Sequence, residues 1–248
     1  FVTGMHLLQH FGSTWEEVVK SDLAPVHPFV NQSPGDRMEI ALSKTITGLS
    51  AYVEETKPDM IVVHGDRVEA LAGAIVGSLS NVRVSHVEGG EVSGTIDEAL
   101  RHAISKLSHW HFVSNEESRR RLLQLGENSR DIFVVGSPDI DVMDSPDLPS
   151  HVEAMSHYGL DWTTYSILIF HPVTTAIENI QRETLTIMDF LAKSGGNTIV
   201  IESNNDSGSE DIRGVYQKYH GLPNFRFFSS MRFEYFLTIL RHADFIIG

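Results

Sequence analysis

Acidic side chains that could move protons follow two short apolar runs of the chain. The runs end in His64-Gly65-Asp66-Arg67 and in His86-Val87-Glu88-Gly89-Gly90-Glu91, so each offers a His-x-acid pair. A carboxylate can accept a proton, donate one or stabilise a nearby positive charge, which makes Asp66 and Glu88 candidate catalytic residues. The structural alternative for Asp66 is a helix N-cap. The paired glycines suit close approach of the backbone to a ligand.

A third candidate acid, Asp97, lies at the start of the next predicted helix, 99–109. Thr95 and Glu98 have the spacing of a capping box, which assigns Glu98 a structural role. Asp97 needs no such role and stands near the glycine-rich loop. Arg101, four residues further on, is a candidate ion-pair partner for Asp97.

Two polar positions in the second half of the chain also follow apolar runs. His171 comes after the run 166–170, although a lone histidine is more often structural than catalytic. Asn204 opens the polar segment 204–209, where backbone N–H groups and hydroxyls could hold a phosphate before a helix. The alternative for this segment is a polar turn with an N-cap. The chain has no Gly-x-Gly-x-x-Gly, P-loop or Gly-x-Ser-x-Gly pattern.

The elements that would position these residues are short strands alternating with amphipathic helices. This pattern predicts a doubly wound α/β fold, with ligands at the carboxyl ends of parallel strands. A proline-containing connector at 144–164 divides a Rossmann-like domain at 1–143 from a nucleotide-binding Rossmann-like domain at 165–248. The predicted strands are 1–3, 60–63, 82–86, 111–113, 132–135, 166–170, 198–201, 225–228 and 245–247.

Composition restricts the partners and the chemistry. The 33 acidic residues exceed the 19 Lys and Arg, for a net charge of −14, and no basic run suits a nucleic acid or an anionic membrane. The absence of Cys excludes a thiolate nucleophile and a Cys-based zinc site. No apolar run approaches the roughly 20 residues that span a bilayer. The expected location is the cytoplasm.

Several motifs together resemble the hydrolysing UDP-N-acetylglucosamine 2-epimerases of bacterial sialic acid pathways and the epimerase half of the animal bifunctional epimerase/kinase. They occur in consistent order along essentially the whole chain. The motifs are Val2-Thr3-Gly4-Met5-His6, His64-Gly65-Asp66-Arg67, the stretch His86 to Asp97, Arg101-His102 and His171-Pro172-Val173-Thr174-Thr175. Non-hydrolysing relatives typically carry Glu-Ala-Gly-Leu-Arg where this chain has Glu88-Gly89-Gly90-Glu91-Val92.

The resemblance implies a glycosyltransferase-B type fold with the sugar nucleotide between two domains, without a cofactor or a metal. The implied reaction converts UDP-N-acetylglucosamine and water into N-acetylmannosamine and UDP through 2-acetamidoglucal. Relatives suggest a homodimer or homotetramer. The implied catalytic residues are Asp66, Glu88, Asp97 and His171, and the implied substrate-binding residues are His6, Arg67 and Asn204, with Arg101 supporting the site.

The resemblance also predicts that the chain is truncated at both ends. The family's Gly-Thr-Arg loop normally precedes Phe1, and its Asn-Ser-Ser loop, which grips the diphosphate, normally follows Gly248. Three alternatives remain open: a hydrolysing epimerase for another sugar nucleotide, such as one of the legionaminic acid route, a metal-dependent phosphohydrolase that uses the two His-x-acid pairs, and a non-catalytic nucleotide-sugar sensor.

Overall fold

The computed structural model describes residues 1–33, 36–172, 177–204 and 208–248. Contacts divide the chain into two units. The first comprises Phe1–Leu8 and Trp15–Ile140, and the second comprises Gln9–Thr14 and Asp141–Gly248. Nothing in the sequence pattern indicates that Gln9–Thr14 belongs with the second unit.

The first unit contains a parallel four-stranded sheet in the order β1-β2-β3-β4. Strands that follow one another along the chain are therefore neighbours in the sheet. Between them, a crossover that contains a helix returns the chain to the end of the sheet where the strands begin. Its strands are β1 Met60–His64, β2 Arg83–Val87, β3 Trp110–Val113 and β4 Ile132–Val134. Its helices are α1 Trp15–Lys20, α2 Met38–Thr56, α3 Val68–Leu79, α4 Ile96–Lys106, α5 Glu116–Gln124 and α6 Pro138–Met143.

Helix α3 presents two glycines to the strands, and valine side chains of the sheet fill the space that Cβ atoms would need. A Cβ atom at Gly73 would lie 2.6 Å from Val63, and one at Gly77 would lie 2.4 Å from Val84. Both valines are buried. The contact of Gly73 with Val63 holds α3 against β1, near the strand end that precedes Asp66.

The second unit contains another parallel four-stranded sheet, in the order β7-β6-β5-β8. Its strands are β5 Ser166–Ile169, β6 Thr198–Ile201, β7 Phe225–Phe228 and β8 Phe245–Ile247. Its helices are α7 His151–His157, α8 Ile180–Ser194, α9 Ser209–Tyr216 and α10 Phe233–Arg241. Buried side chains pack on both faces of the sheet, with Leu168 and Val200 on one face and Ile167 and Ile199 on the other.

The predicted α/β class with parallel sheets is confirmed, and eight of the nine predicted strands form. The strand predicted at 1–3 is wrong, because in the part of the chain that the structure describes Val2 makes only an isolated bridge with Pro28. The next residues, Gly4–Leu7, form a 3₁₀ turn instead of continuing the extended chain. Within the described residues, no helix combines the length and the apolar character needed to cross a membrane.

Candidate active site

The two acid-bearing strand ends lie side by side in the first unit. His64, the last residue of β1, is in register with Val87, the last residue of β2, and the Gly65 N–H donates to the Val87 carbonyl at 3.1 Å. Gly65 has a φ of +72°, which turns the chain out of the strand. Asp66 and Glu88 therefore leave neighbouring strands at one edge of the sheet.

Glu88 is held at its backbone and at both carboxylate oxygens. Its N–H donates to the Phe112 carbonyl at 2.8 Å. Its Oε1 accepts from Ser137 Oγ at 2.7 Å, and its Oε2 lies 2.7 Å from His64 Nε2. The residue has a φ of +63°, which is a strained conformation for a side chain larger than glycine. The surrounding contacts thus fix the direction of this carboxylate.

Opposing effects act on the acidity of Glu88. Burial, with 15% of the side chain exposed, would raise the pKa of the carboxyl group. The hydrogen bonds from Ser137 and His64, together with the charges of His64 and Arg101, outweigh burial and hold the pKa below its ordinary value. Glu88 is therefore an anion at neutral pH.

Arg101 of α4 joins the loops that follow β1 and β2. One guanidinium nitrogen pairs with Asp66, and another donates to Glu91 Oε2 at 2.8 Å and to the Glu88 carbonyl at 3.1 Å. Glu91 also accepts from the hydroxyl of Ser114. Only 12% of the Arg101 side chain is exposed, so its charge acts on these acids at close range with little screening by water.

The predicted partner of Arg101 was Asp97, and that prediction is wrong because Arg101 pairs with Asp66 and Glu91 instead. This pairing also corrects the alternative role of Asp66. The N-cap position of α3 is Arg67 and not Asp66. Asp66 therefore forms an ion pair with the largely buried side chain of Arg101 and does not cap the helix.

The predicted capping box at α4 is also wrong, although Glu98 is structural. Thr95 is the N-cap residue, but its hydroxyl donates to Asp97 Oδ2 at 3.0 Å rather than capping the helix. Glu98 accepts the N–H groups of Ser93 and Gly94 at 3.1 and 2.9 Å, and these bonds lower its pKa. Glu98 thereby closes the loop that leads to half-buried Asp97.

The paired glycines pack closely against other parts of the first unit. A Cβ atom at Gly89 would lie 2.8 Å from Ser105 Oγ, and one at Gly90 would lie 2.4 Å from the Ser118 carbonyl oxygen. Arg121 of α5 donates to the Gly90 carbonyl at 3.2 Å. The loop 88–91 is therefore fixed between α4 and α5, and close approach of its backbone to a ligand stays a prediction.

His86 is fully buried and structural. Its Nε2 lies 2.8 Å from the Gly65 carbonyl, which can only accept, so Nε2 carries the proton and Nδ1 accepts from Ser105 at 3.0 Å. Burial is the largest of several effects that lower its pKa to about 4, so the ring is neutral. The two His-x-acid pairs do not form one metal-ligand set, and the described residues contain no cluster suited to a metal ion.

His6 and Arg67 lie near each other at the start of α3. The turn that carries His6 is anchored where the Gly4 N–H donates to the buried side chain of Asn31 at 2.9 Å. Partial burial lowers the pKa of His6, the charge of Glu69 opposes this effect, and the charge of Arg67 adds to it. The two predicted substrate-binding residues thus share one end of a helix in the first unit.

His171 and Asn204 belong to the second unit. They follow β5 and β6, whose last residues Ile169 and Ile201 are in register, so both lie at the same edge of the second sheet. Val173, Thr174 and Thr175 of the His171 motif, and Asn205, Asp206 and Ser207 of the predicted phosphate loop, lie outside the described residues. The position of His171 opposite Asp66 stays a prediction.

The sequence reasoning missed Ser114, Ser137 and Glu91, and it paired His64 with Asp66 rather than with Glu88. Ser114 directly follows β3, and Ser137 comes shortly after β4. The rule that selected Asp66 and Glu88, a polar residue after an apolar strand, would also have selected both serines. No comparable signal identifies Glu91 as a partner of Arg101.

Comparison with known proteins adds a family to this geometry. The model of a family described as UDP-N-acetylglucosamine 2-epimerase matches residues 1–248. A UDP-N-acetylglucosamine 2-epimerase of Neisseria meningitidis serogroup B is 47% identical over 247 residues, which are 100% of this chain and 65% of that protein. A UDP-N,N'-diacetylbacillosamine 2-epimerase (hydrolyzing) of Legionella pneumophila is 34% identical over 252 residues, covering 100% and 67%. The chain thus spans about two thirds of the length of these relatives.

Solved structures share the fold at low sequence identity. A Methanocaldococcus jannaschii UDP-GlcNAc 2-epimerase in complex with UDP-GlcNAc and UDP has a TM-score of 0.75 and 18% identity, covering 98% of this chain and 68% of that one. A Neisseria meningitidis UDP-GlcNAc 2-epimerase bound to UDP-GlcNAc has a TM-score of 0.72 and 18% identity, covering 94% and 66%. The likeness confirms the predicted glycosyltransferase-B type fold class.

Proposed function

We propose that the complete protein is a hydrolysing 2-epimerase, because this chain belongs to the UDP-N-acetylglucosamine 2-epimerase family. It converts UDP-N-acetylglucosamine and water into N-acetylmannosamine and UDP. The observation that carries the proposal is the convergence of Asp66 and Glu88 at one sheet edge, bound by Arg101 and His64. Relatives named as hydrolysing epimerases support the hydrolytic outcome.

The chemistry explains why several acids are needed. The C2 hydrogen of the sugar is not adjacent to a carbonyl, so its removal becomes feasible when the anomeric C–O bond to UDP breaks at the same time. Positive charge then develops on the ring, and nearby carboxylates stabilise it. Loss of the C2 proton to a base and departure of UDP leave a C1=C2 double bond, which is 2-acetamidoglucal. Addition of water at C1 and of a proton at C2 gives N-acetylmannosamine.

The geometry suggests a division of labour among the three acids. Glu88 is an anion with both oxygens already hydrogen-bonded, which suits a base or an electrostatic stabiliser. Asp66 is held by Arg101 and suits stabilisation of the charged ring. Asp97 stands outside the Arg101 ion pairs and accepts from Thr95, so it is our candidate for the group that changes protonation during hydration.

The diphosphate must be bound despite the acids, and we assign this task to basic and polar groups. His6 and Arg67 lie at the start of α3, whose N-terminal N–H groups favour an anion. His171 and Asn204 occupy the corresponding edge of the second sheet. We propose that His171 is catalytic and that Asn204 contacts the substrate. We further propose a cytoplasmic homo-oligomer, dimer or tetramer, that feeds sialic acid biosynthesis without a cofactor.

The test is proton NMR of the complete protein with UDP-N-acetylglucosamine in heavy water. We expect free UDP and N-acetylmannosamine carrying deuterium at C2, because the C2 proton is replaced from solvent. Asp66→Asn and Glu88→Gln should abolish UDP release while leaving the fold intact. Retention of the C2 proton, near-normal turnover in either variant, or formation of UDP-N-acetylmannosamine without hydrolysis would refute the proposal.

A second candidate is a hydrolysing epimerase for a diacetamido-trideoxy sugar nucleotide. The Legionella relative is named for UDP-N,N'-diacetylbacillosamine and is 34% identical to this chain. Incubation with each nucleotide at equal concentration, followed by measurement of UDP release, distinguishes the two substrates. Faster release from the diacetamido sugar would select the second candidate.

A further inference from the structure

We propose that His64 is a positioning residue of the epimerase site, whose imidazole holds the Glu88 carboxylate in its orientation and in its ionised form. The inference rests on the proposed function and deepens it, because it names the group on which one of the proposed catalytic acids depends. The role of His64 is inferred from its contact with Glu88 in the structure, because the sequence motif paired it with Asp66 instead.

The contact between the two side chains fixes the direction of the hydrogen bond. His64 Nε2 lies 2.7 Å from Glu88 Oε2, and an ionised carboxylate can only accept, so Nε2 donates. A hydrogen bond to an ionised acceptor is about twice as strong as one between neutral groups. His64 therefore favours the anionic form of Glu88 over the protonated form.

The remaining contacts of Glu88 explain why one donor matters. Its strained backbone is fixed by Phe112 and Arg101, and its other oxygen is held by Ser137. Without His64, the carboxylate could rotate about its terminal bond while the backbone stays in place. His64 supplies the last constraint on that rotation.

The position of His64 also suits this role. It is the last residue of β1, so its backbone is part of the sheet, while 53% of its side chain is exposed on the side where the acids emerge. The other ionisable or charged groups around Glu88 are Arg101, which contacts its carbonyl, and Asp66 and Glu91, which share Arg101. His64 and Ser137 both contact the Glu88 carboxylate, and the hydroxyl of Ser137 is already a neutral donor. Substitution of His64 can therefore test the effect of replacing an imidazole with a neutral donor.

The test compares His64→Ala with His64→Gln in the complete protein. Gln keeps an N–H donor that can reach Glu88 but cannot titrate, whereas Ala removes the donor. We expect kcat for UDP release to fall about 10- to 100-fold in His64→Ala, as for loss of a charged hydrogen bond. We expect His64→Gln to recover most of that loss, with KM little changed in both variants.

The pH profile separates positioning from mere support of the fold. Activity that needs ionised Glu88 falls as the pH drops through the pKa of that carboxyl group. Because the His64 bond lowers this pKa, the acidic limb of kcat should move to higher pH in His64→Ala and return towards the wild-type position in His64→Gln. His109→Gln is the matched control. His109 directly precedes β3, at the end of the sheet where the strands begin and away from the acids. Its substitution should leave the pH profile unchanged.

A second measurement keeps this inference separate from the proposed function. Carboxyl ¹³C NMR titration of Glu88, assigned from the Glu88→Gln spectrum, reports ionisation without turnover. If wild-type protein releases no UDP, the proposed function fails while the titration still tests the His64–Glu88 interaction. The inference is overturned if the Glu88 titration is the same in wild type and His64→Ala, or if His64→Gln is as impaired as His64→Ala.

Discussion

Replacement of Arg101 with Met tests whether one cation holds the site together. Met has a similar length but cannot pair with Asp66 or Glu91 or donate to the Glu88 carbonyl. The substitution leaves acids at one sheet edge with no opposite charge between them. We therefore expect the first unit to lose stability even though the substitution removes no apolar packing.

The magnitude follows from the burial of each contact. With 22% of its side chain exposed, Asp66 loses a hydrogen bond between charged groups, which costs about 1.5–3 kcal/mol. The more exposed Glu91 contributes at most about 1 kcal/mol. The sum, about 1.5–4 kcal/mol in the free energy of unfolding, overlaps the range of about 3–5 kcal/mol for breaking a buried ion pair.

The assay is urea unfolding followed by tryptophan fluorescence. Trp15 and Trp110 belong to the first unit and Trp162 to the second, so a Trp162→Phe background restricts the signal to the first unit. Arg119→Met is the control, because Arg119 pairs with exposed Glu116 and its loss should cost less than about 0.5 kcal/mol. If Arg101→Met costs no more than this control, Arg101 does not organise the acids as described.

Two further predictions concern the packing behind the acids. Gly90→Ala should destabilise the first unit well beyond the roughly 1–2 kcal/mol of an alanine in the left-handed conformation, because its Cβ atom would lie 2.4 Å from the Ser118 carbonyl oxygen. Gly126→Ala is the control in the same urea assay. Gly126 also has a positive φ but nothing lies within 4 Å of its Cβ position, so this substitution should cost only roughly 1–2 kcal/mol. Because burial is the main cause of a His86 pKa of about 4, against roughly 6.5 when unfolded, stability should fall by about 3 kcal/mol as the pH drops from 6.5 to 4. His86→Gln should be less stable at pH 7 but show a shallower fall between pH 7 and 5, and an unchanged slope would contradict the buried neutral ring.

The sequence predicted much of the fold because the strands carry a strong local signal. Runs such as Thr198–Ile201 are apolar and β-branched and form where expected. The segment 1–3 joins an aromatic residue to two β-branched residues, a composition that also favours a strand, but among the described residues it makes only one bridge. A strand needs a partner at the right distance, and the composition of three residues does not supply that information.

The candidate acids were predictable from their places at strand ends, whereas their partners were not. Arg101 pairs with Asp66, which is 35 residues away in the sequence, and not with Asp97 on its own helix. Tertiary packing brings Asp66 to the guanidinium group. Thr95 and Glu98 have capping-box spacing, but each makes a different contact in the loop that precedes α4. Helical spacing limits which residues can meet, and the neighbouring strands decide which of them do.

The fixed glycine loop has a consequence for how this site would act on a substrate. Loop 88–91 is packed against Ser118 and tied by Arg121, so the direction of Glu88 is set before any ligand arrives. The anions of the site repel one another in this fixed arrangement, and a neutral sugar ring leaves the repulsion in place. A ring that becomes cationic relieves this repulsion, so such preorganisation would favour the activated sugar over the resting one.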